Sequence, residues 1–393
     1  MKKFVNSFTA FLFFALILIS CKQEKINKPV QTPAIKKDTV VNVNISAVGD
    51  IMCHSTQINY ARTKDGSLDF RPNFEIIKKY FASKDLVIGN LETTFAGSKR
   101  KYSGYPFFNT PDEFLDALKY AGFNILFTSN NHAFDQGKYG VLRTIKEIKK
   151  RGMTNLGTYK SQRDRDSIRV IDIKGIKLII LAYSYSTNGV RIPKGSEYLI
   201  STIDTSSIRS DLTKAKRLNP DLVLVYFHFG QEYFHKPTRF QRKIVEFTKK
   251  HGADIIIASH PHTLQPVETF PLNNSRLDSG FVAYSLGNFI SNQRWRYSDG
   301  GAILNFSVRK NLNTNKIKIN NLSFLPFWVY KGKLKNKNSY AVLPLTDSSI
   351  SRSYPFLTPK DTLEMNQCIS DVLDIMKKST SKLKLLTVGT TED

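Results

Sequence analysis

Strand-like apolar runs alternate along this chain with amphipathic, helix-like stretches, and no other feature restricts its fold as much. The runs are NISAVGD (44–50), DLVIGN (85–90), FNILFTSN (123–130), GIKLIILAYS (175–184), DLVLVYFHFG (221–230) and ADIIIASH (253–260). Between them, NFEIIKKYFASK (73–84), TPDEFLDALKYAG (110–122), GKYGVLRTIKEIKKRG (137–152), TSSIRSDLTKAKRLN (205–219) and TRFQRKIVEFTKKHG (238–252) carry apolar residues at helical spacing. Strands apolar on both faces, alternating with helices, predict an α/β domain around buried sheets. Residues 44–308 suffice for one such domain.

The remainder reads differently. GGAILNFSVRK (300–310), KIKINNLSFLPFWVYKGK (316–333) and SYAVLPL (339–345) alternate in period two and predict added β-structure. A closing helix is expected over 358–378, with Thr358 as N-cap and Pro359 at its first position. Residues 309–378 thus form a C-terminal extension of strands and a helix, and 379–393 a loose tail.

At the other end, Lys2 and Lys3 precede an apolar stretch, Phe11 to Ile19, that is short for a membrane span. It closes on Leu18-Ile19-Ser20-Cys21, which resembles the bacterial lipoprotein box. The expectation is a signal peptide over 1–20 and lipidation at Cys21, with 21–43, polar and lysine-rich, as a flexible tether. An ordinary secretory signal is the plainer alternative. Only Cys53 and Cys368 remain, too few for a disulfide framework and without metal-site spacing.

Lys and Arg number 58 against 33 Asp and Glu, a formal charge of +25. Such a surface keeps a protein soluble or attracts a polyanion. Helix-turn-helix, zinc-finger and RNP-like patterns are missing, so nucleic acid is not an expected partner. The sequence also lacks the G-x-S-x-G, H-E-x-x-H and P-loop motifs of serine hydrolases, zinc proteases and nucleotide-using enzymes.

Chemistry concentrates at the ends of the strand-like runs. The first ends in Asp50, with His54 shortly after; the second in Asn90 and Glu92; the third in Asn131, His132 and Asp135. A later run ends in His228 and Glu232, and the last in His260 and His262. Side chains at i and i+2 of an extended chain point the same way, so His260 and His262 would project together. Of the 7 histidines only His235 and His251 lie elsewhere. In α/β sheets, sites assemble beyond the carboxyl ends of strands. Nitrogen and oxygen donors without thiolates suit Zn²⁺, Mn²⁺ or Fe²⁺. Each histidine alone could equally be an ordinary polar loop residue.

In order, GDIM (49–52), GNLE (89–92), NNHAFDQG (130–137), HFGQEY (228–233), SHPHTLQPVE (259–268) and YSLGNF (284–289) resemble the CapA-type poly-γ-glutamate capsule biosynthesis proteins. That family is similar in fold to the calcineurin-like metallophosphoesterases. The resemblance implies an α/β sandwich of two mixed sheets flanked by helices, holding one or two divalent ions. It implies Asp50, Glu92, Asn131, His228, His260 and His262 as ligands and His132 as general acid. Asp135 would orient His132, Glu232 would fix His228, and His54, Asn90 and Asn288 would line the site. One departure stands out: a full phosphoesterase has Asp-x-His, and the residue two beyond Asp50 is Met52. Either His54 substitutes, or one ion is held.

Two functions follow from this reading. One is a metal-dependent hydrolase or transferase at the envelope, acting on phosphoester or amide bonds. The other is a non-catalytic accessory that binds an anionic polymer and helps a synthase or export complex. Both place the chain outside the cytoplasm on a lipid anchor.

Overall fold

Period-two alternation of buried side chains gives every central strand two apolar faces. In β1 (Val40–Ile51), Val43, Ile45 and Ala47 join one core while Val48 and Ile51 join another. β2 (Leu86–Leu91) and β3 (Ile125–Phe127) divide in the same way, Leu86, Ile88 and Phe127 against Val87, Leu91 and Leu126. So do β6 (Ile176–Ser184), β7 (Leu222–His228) and β8 (Ile255–Ser259), whose Leu178, Leu224 and Ile257 enter the first core. Their Ile179, Val225 and Ile256 enter a third. The shared core therefore lies between two sheets, with Phe127 and Tyr226 stacked across it at 4.1 Å. Each Leu, Ile or Phe buried there contributes about 2 kcal/mol.

The structure is a computed structural model that describes residues 39–272, 277–345 and 354–386. The remaining strands are β4 (Thr154–Leu156), β5 (Val170–Ile173), β9 (Leu264–Pro271), β10 (Ser279–Leu286), β11 (Asn288–Ile290) and β12 (Gly300–Asn311), then β13 (Ile317–Leu334), β14 (Lys337–Pro344) and β15 (Lys384–Leu385). One sheet runs β14-β13-β12-β1-β2-β3-β4, with β11 beside β1 and β15 beside β13. The other runs β5-β6-β7-β8-β10-β9. Both are mixed: β1 to β4 are mutually parallel while β12 to β14 are antiparallel, and β6, β7, β8 and β10 are parallel between antiparallel edges.

Helices cover the outer faces. On the first sheet lie α1 (Ser55–Ala61), α2 (Lys78–Phe81), α3 (Glu113–Ala121) and α4 (Gly137–Lys150), sending in Ile58, Phe81, Leu118 and Ile148. After a short α5 (Gln162–Asp166), α6 (Thr205–Arg217) and α7 (Arg239–Lys250) cover the second sheet with Ile208, Leu212 and Ile244. The stretch 73–84, helical by spacing, is mostly turn, with α2 only 4 residues long. A segment so short follows its side-chain packing rather than its propensity, and Phe74 and Phe81 are both seated against Phe289.

The C-terminal region is part of this architecture. β12 pairs along β1 from Ala47 to Val40, so a boundary at 308 cuts a strand and residues 40–43 belong to the sheet rather than to a tether. α8 (Pro359–Met376) begins at Thr358, whose hydroxyl accepts from Asp361 N–H, and packs Met365, Cys368 and Val372 into the shared core. Thr380 N–H donates to Val267 O, and β15 pairs with β13, so the expected tail is built in through residue 386. The signal peptide and Cys21 lie outside the described residues.

Close backbone approach explains two glycines in the motifs. A Cβ on Gly49 would stand 1.9 Å from the carbonyl oxygen of Gly287, which itself has φ +71°. Asp50 N–H donates to that same oxygen at 2.9 Å, setting Asp50 opposite Asn288. Gly49→Ala is expected to cost on the order of 3 kcal/mol, because backbone rather than a side chain must yield. A urea midpoint unchanged by the substitution would contradict this packing.

Candidate metal centre

The carboxyl ends of β1, β2, β3, β7 and β8 meet at one edge of the sandwich. Asp50 is the last residue but one of β1, Asn90 lies in β2 with Glu92 just beyond, Asn131 and His132 follow β3, and His228 ends β7. His260 and His262 follow β8, which stops at Ser259. These two do not project as an extended pair. Both take positive φ, +104° and +58°, so a tight turn rather than strand alternation brings their rings to 5.8 Å. Such a backbone costs non-glycine residues roughly 1–3 kcal/mol each and persists only where its surroundings impose it.

Hydrogen bonds fix the donors. Asp50 Oδ2 lies 3.3 Å from His260 N–H and 3.0 Å from His262 Nδ1, and Asp50 Oδ1 accepts from Asn90 Nδ2 at 2.8 Å. Asn288 Oδ1 also lies 3.0 Å from His262 Nδ1. Flanked by two acceptors, Nδ1 carries the proton, leaving the Nε2 lone pair toward Glu92 Oε1 at 3.9 Å. His228 Nε2 lies 2.8 Å from Asn131 Oδ1 and 3.6 Å from Glu92 Oε1. Asn90 ties these together, its Nδ2 also 3.2 Å from Glu92 Oε2 and 3.2 Å from His228 Nδ1.

Two triads result, each with donor atoms within 4.8 Å of one another: Asp50, Glu92 and His262, and Glu92, His228 and His260. Glu92 is common to both. A third group adds the exposed Glu232 to His260 and His262.

The electrostatics are those of a site lacking a positive charge. Asp50 and Glu92 are both 0% exposed, and among the described residues neither meets a lysine or arginine. Burial raises the Asp50 carboxyl, but the hydrogen bonds from His262 and Asn90 carry it below its ordinary value. Burial and the neighbouring Asp50 push Glu92 well above its own. Burial also drives His260 down to about 3 and His228 well below its usual range, so both rings are neutral. Neutral imidazole and carboxylate are the forms that bind cations. Glu92 Oε1 and His260 Nδ1 are buried without any hydrogen-bond partner. A buried, unpartnered carboxylate oxygen is costly, and a cation among these donors would supply its partner. The residues present therefore fit one or two ions.

Beside the triads, His132 Nδ1 lies 2.8 Å from Asp135 Oδ2, which also accepts from Phe108 N–H. Its Nε2 faces the Asn188 side-chain amide at 3.4 Å. Asn188 follows β6 and was not anticipated; its Oδ1 accepts from Asn131 Nδ2 at 3.1 Å, so one side chain bridges Asn131 and His132. Asn130 was missed too, and donates to Asn90 Oδ1 and Leu91 O. His54 joins neither triad. It caps α1, its Nδ1 accepts from Asn292 N–H, and its ring packs edge-on against Phe108. Met52, where a phosphoesterase has histidine, is buried and gives no donor. His251 closes α7, its Nδ1–H donating to Phe247 O, and His235 packs on Tyr297. A cavity of about 530 Å³ between α6 and α7 at the opposite ends of β7 and β8 is lined by none of the site residues.

An α/β sandwich gathering carboxylates and imidazoles at its strand ends defines a class of protein able to hold metal ions at the sheet edge. The model of one family, the bacterial capsule synthesis protein PGA_cap, matches residues 44–293, and the chain belongs to that family. It is 27% identical over 314 residues to the PGA biosynthesis protein CapA of Bacillus subtilis (strain 168), covering 78% of this chain and 79% of that one. With the capsule biosynthesis protein CapA of Bacillus anthracis it shares 28% identity over 245 residues, 61% of this chain and 58% of that one, less than two thirds of the relative's length. Solved structures of distantly similar fold include the NAD nucleotidase of Haemophilus influenzae, with TM-score 0.46 and 13% identity, covering 88% of this chain and 57% of that one. The calcineurin-like phosphoesterase YfkN of Bacillus subtilis follows, with TM-score 0.41 and 14% identity, covering 86% and 100%.

Proposed function

We propose that the protein is a metal-dependent hydrolase or transferase of the cell envelope, acting on a phosphoester or amide bond in the making of an anionic capsule polymer such as poly-γ-glutamate. The observation that carries this reading is Glu92, a buried carboxylate shared by two triads and left with one oxygen unpartnered. Asp50, Glu92 and His262 would hold one divalent ion, and Glu92, His228 and His260, with Asn131 Oδ1 beside them, a second. Ions of the Mn²⁺, Zn²⁺ or Fe²⁺ type, when bound, polarise a phosphoryl or carbonyl oxygen and acidify water.

The protein's own part is positioning and proton transfer. Asp135 holds His132 by Nδ1, so Nε2 is the atom that gives a proton to the leaving group. Asn188 fixes the plane of that ring from the other side. Glu232 stands at the opening beside His260 and His262, where it can orient either ring. Lipidation at Cys21 would tether the domain to a membrane; among the described residues no helix is long and apolar enough to cross one. The partners in this reading are the lipid anchor, the anionic polymer and its synthase or export complex, and not nucleic acid.

A second reading, an accessory that binds polymer without cleaving it, draws on Met52 in the first motif and on the charge of +25. Metal content separates the two. Plasma mass spectrometry of the full chain in detergent, after incubation with Mn²⁺ or Zn²⁺, is expected to show one or two equivalents, and fewer in His262→Ala. No metal in either protein would remove the hydrolase reading and leave the accessory.

A further inference from the structure

Aromatic rings that are partly open to water stand around the opening of this centre. Tyr185, Tyr233, Trp295 and Tyr105 are 39%, 40%, 50% and 71% exposed. They come from four separate loops, yet all converge on the site. Tyr105 is 6.2 Å from the His132 ring, Tyr185 is 4.5 Å from His260, Tyr233 is 6.0 Å from His262, and Trp295 is 5.2 Å from Tyr233. Leaving large apolar faces in water is unfavourable, and a ring of them at one mouth marks a ligand surface.

The collar is held in place. Tyr233 has φ +65°; its N–H donates to Pro261 O at 2.7 Å, and its hydroxyl lies 3.4 Å from Gln293 Nε2. Trp295 sits between two arginines that are both bonded to the fold. Arg294 donates to Val329 O, and Arg296 makes two bonds to Asp371, at 2.9 and 2.7 Å. The indole is thereby presented outward by anchors on β13 and α8.

We propose that this collar binds the ring of a saccharide whose phosphoester lies at the metal centre, an assignment that rests on the metal-dependent reading above. A pyranose offers one flat C–H face to an aromatic ring and hydroxyls along its edge, and Glu232 and Asn188 supply a carboxylate and an amide at the same opening. A γ-glutamyl chain has no ring and carries a carboxylate on every unit, which calls for cations. The arginines beside Trp295 are each paired with an acid of the fold, Arg294 with Glu364 and Arg296 with Asp371, and the charged side chain beside His260 and His262 is the acid Glu232, which repels carboxylates. A flat nucleobase favours parallel faces on both sides, whereas Tyr233 and Trp295 meet at 73° and Tyr105 meets His132 at 71°.

The sequence holds 2 tryptophans, so fluorescence can report the collar directly. Trp328 is fully buried, which leaves Trp295 as the indole a ligand can reach. The full chain in detergent would be titrated with N-acetylglucosamine 1-phosphate, AMP and tri-γ-glutamate, with bound metal measured in parallel. The sugar phosphate is expected to shift the emission saturably. Trp295→Phe should abolish the shift, and Tyr233→Ala should weaken binding tenfold or more with metal content unchanged. A silent sugar phosphate, equal binding by Tyr233→Ala, or a larger response to AMP or tri-γ-glutamate would each overturn the proposal. Metal with no sugar response would sink the collar alone; a sugar response without any metal would keep the collar and sink the hydrolase.

Discussion

In Glu92→Gln, added Mn²⁺ is expected to leave the melting temperature where it was, while the wild-type protein gains several degrees. An ion at a hundredfold excess over its dissociation constant stabilises the folded state by about 2.7 kcal/mol. Glutamine fills the same volume but removes the carboxylate common to both triads, so neither set of donors stays complete. The metal-free comparison supplies the second half of the test. Glu92 is 0% exposed, has an oxygen without a partner, and lies where burial and Asp50 disfavour its charge. Replacing it by a neutral amide should therefore leave the metal-free melting point unchanged or raised. A variant that melts much lower without metal would make Glu92 a structural acid. One that keeps the Mn²⁺ shift would place the ion elsewhere.

His132→Ala should act on catalysis and not on metal. Loss of a positioned acid removes roughly 10²–10⁴ in rate, and the loss depends on how much the leaving group needs a proton. An alkyl phosphate ester should lose the most, and a nitrophenyl ester, whose leaving group departs unprotonated, far less. Asp135→Asn should show the same pattern more weakly, because the ring keeps its place against Phe108 but loses the carboxylate at Nδ1. Equal losses on both esters would mean that His132 holds the substrate rather than protonating it.

The strand ends were the most legible part of this sequence. The apolar runs mark β1, β2, β3, β6, β7 and β8, and the polar residues that follow them supply Asp50, Glu92, Asn131, His228, His260 and His262. Local patterns reveal such features because burial on both faces of a strand leaves few ways to read it. Pairing was less legible: nothing near residues 300–311 says that they lie antiparallel along β1, since a register is fixed by a partner far away in the chain. Asn188 was illegible for another reason. An asparagine before glycine reads as a turn, and only the folded chain brings its amide to Asn131 and His132. The two histidines after β8 were found for the wrong geometric reason, because spacing in sequence does not reveal a positive φ.

Asp50 and His262 are 212 positions apart and come from different sheets, as do Glu92 and His228. No short fragment of the chain contains either triad that includes Glu92, and neither sheet alone offers one. An ion held by either of these triads would not seed folding; it would arrive after the sandwich has closed. Which element filled the centre would then be decided by the ions dissolved where the last sheet docks, so the compartment in which the chain folds would write part of its chemistry.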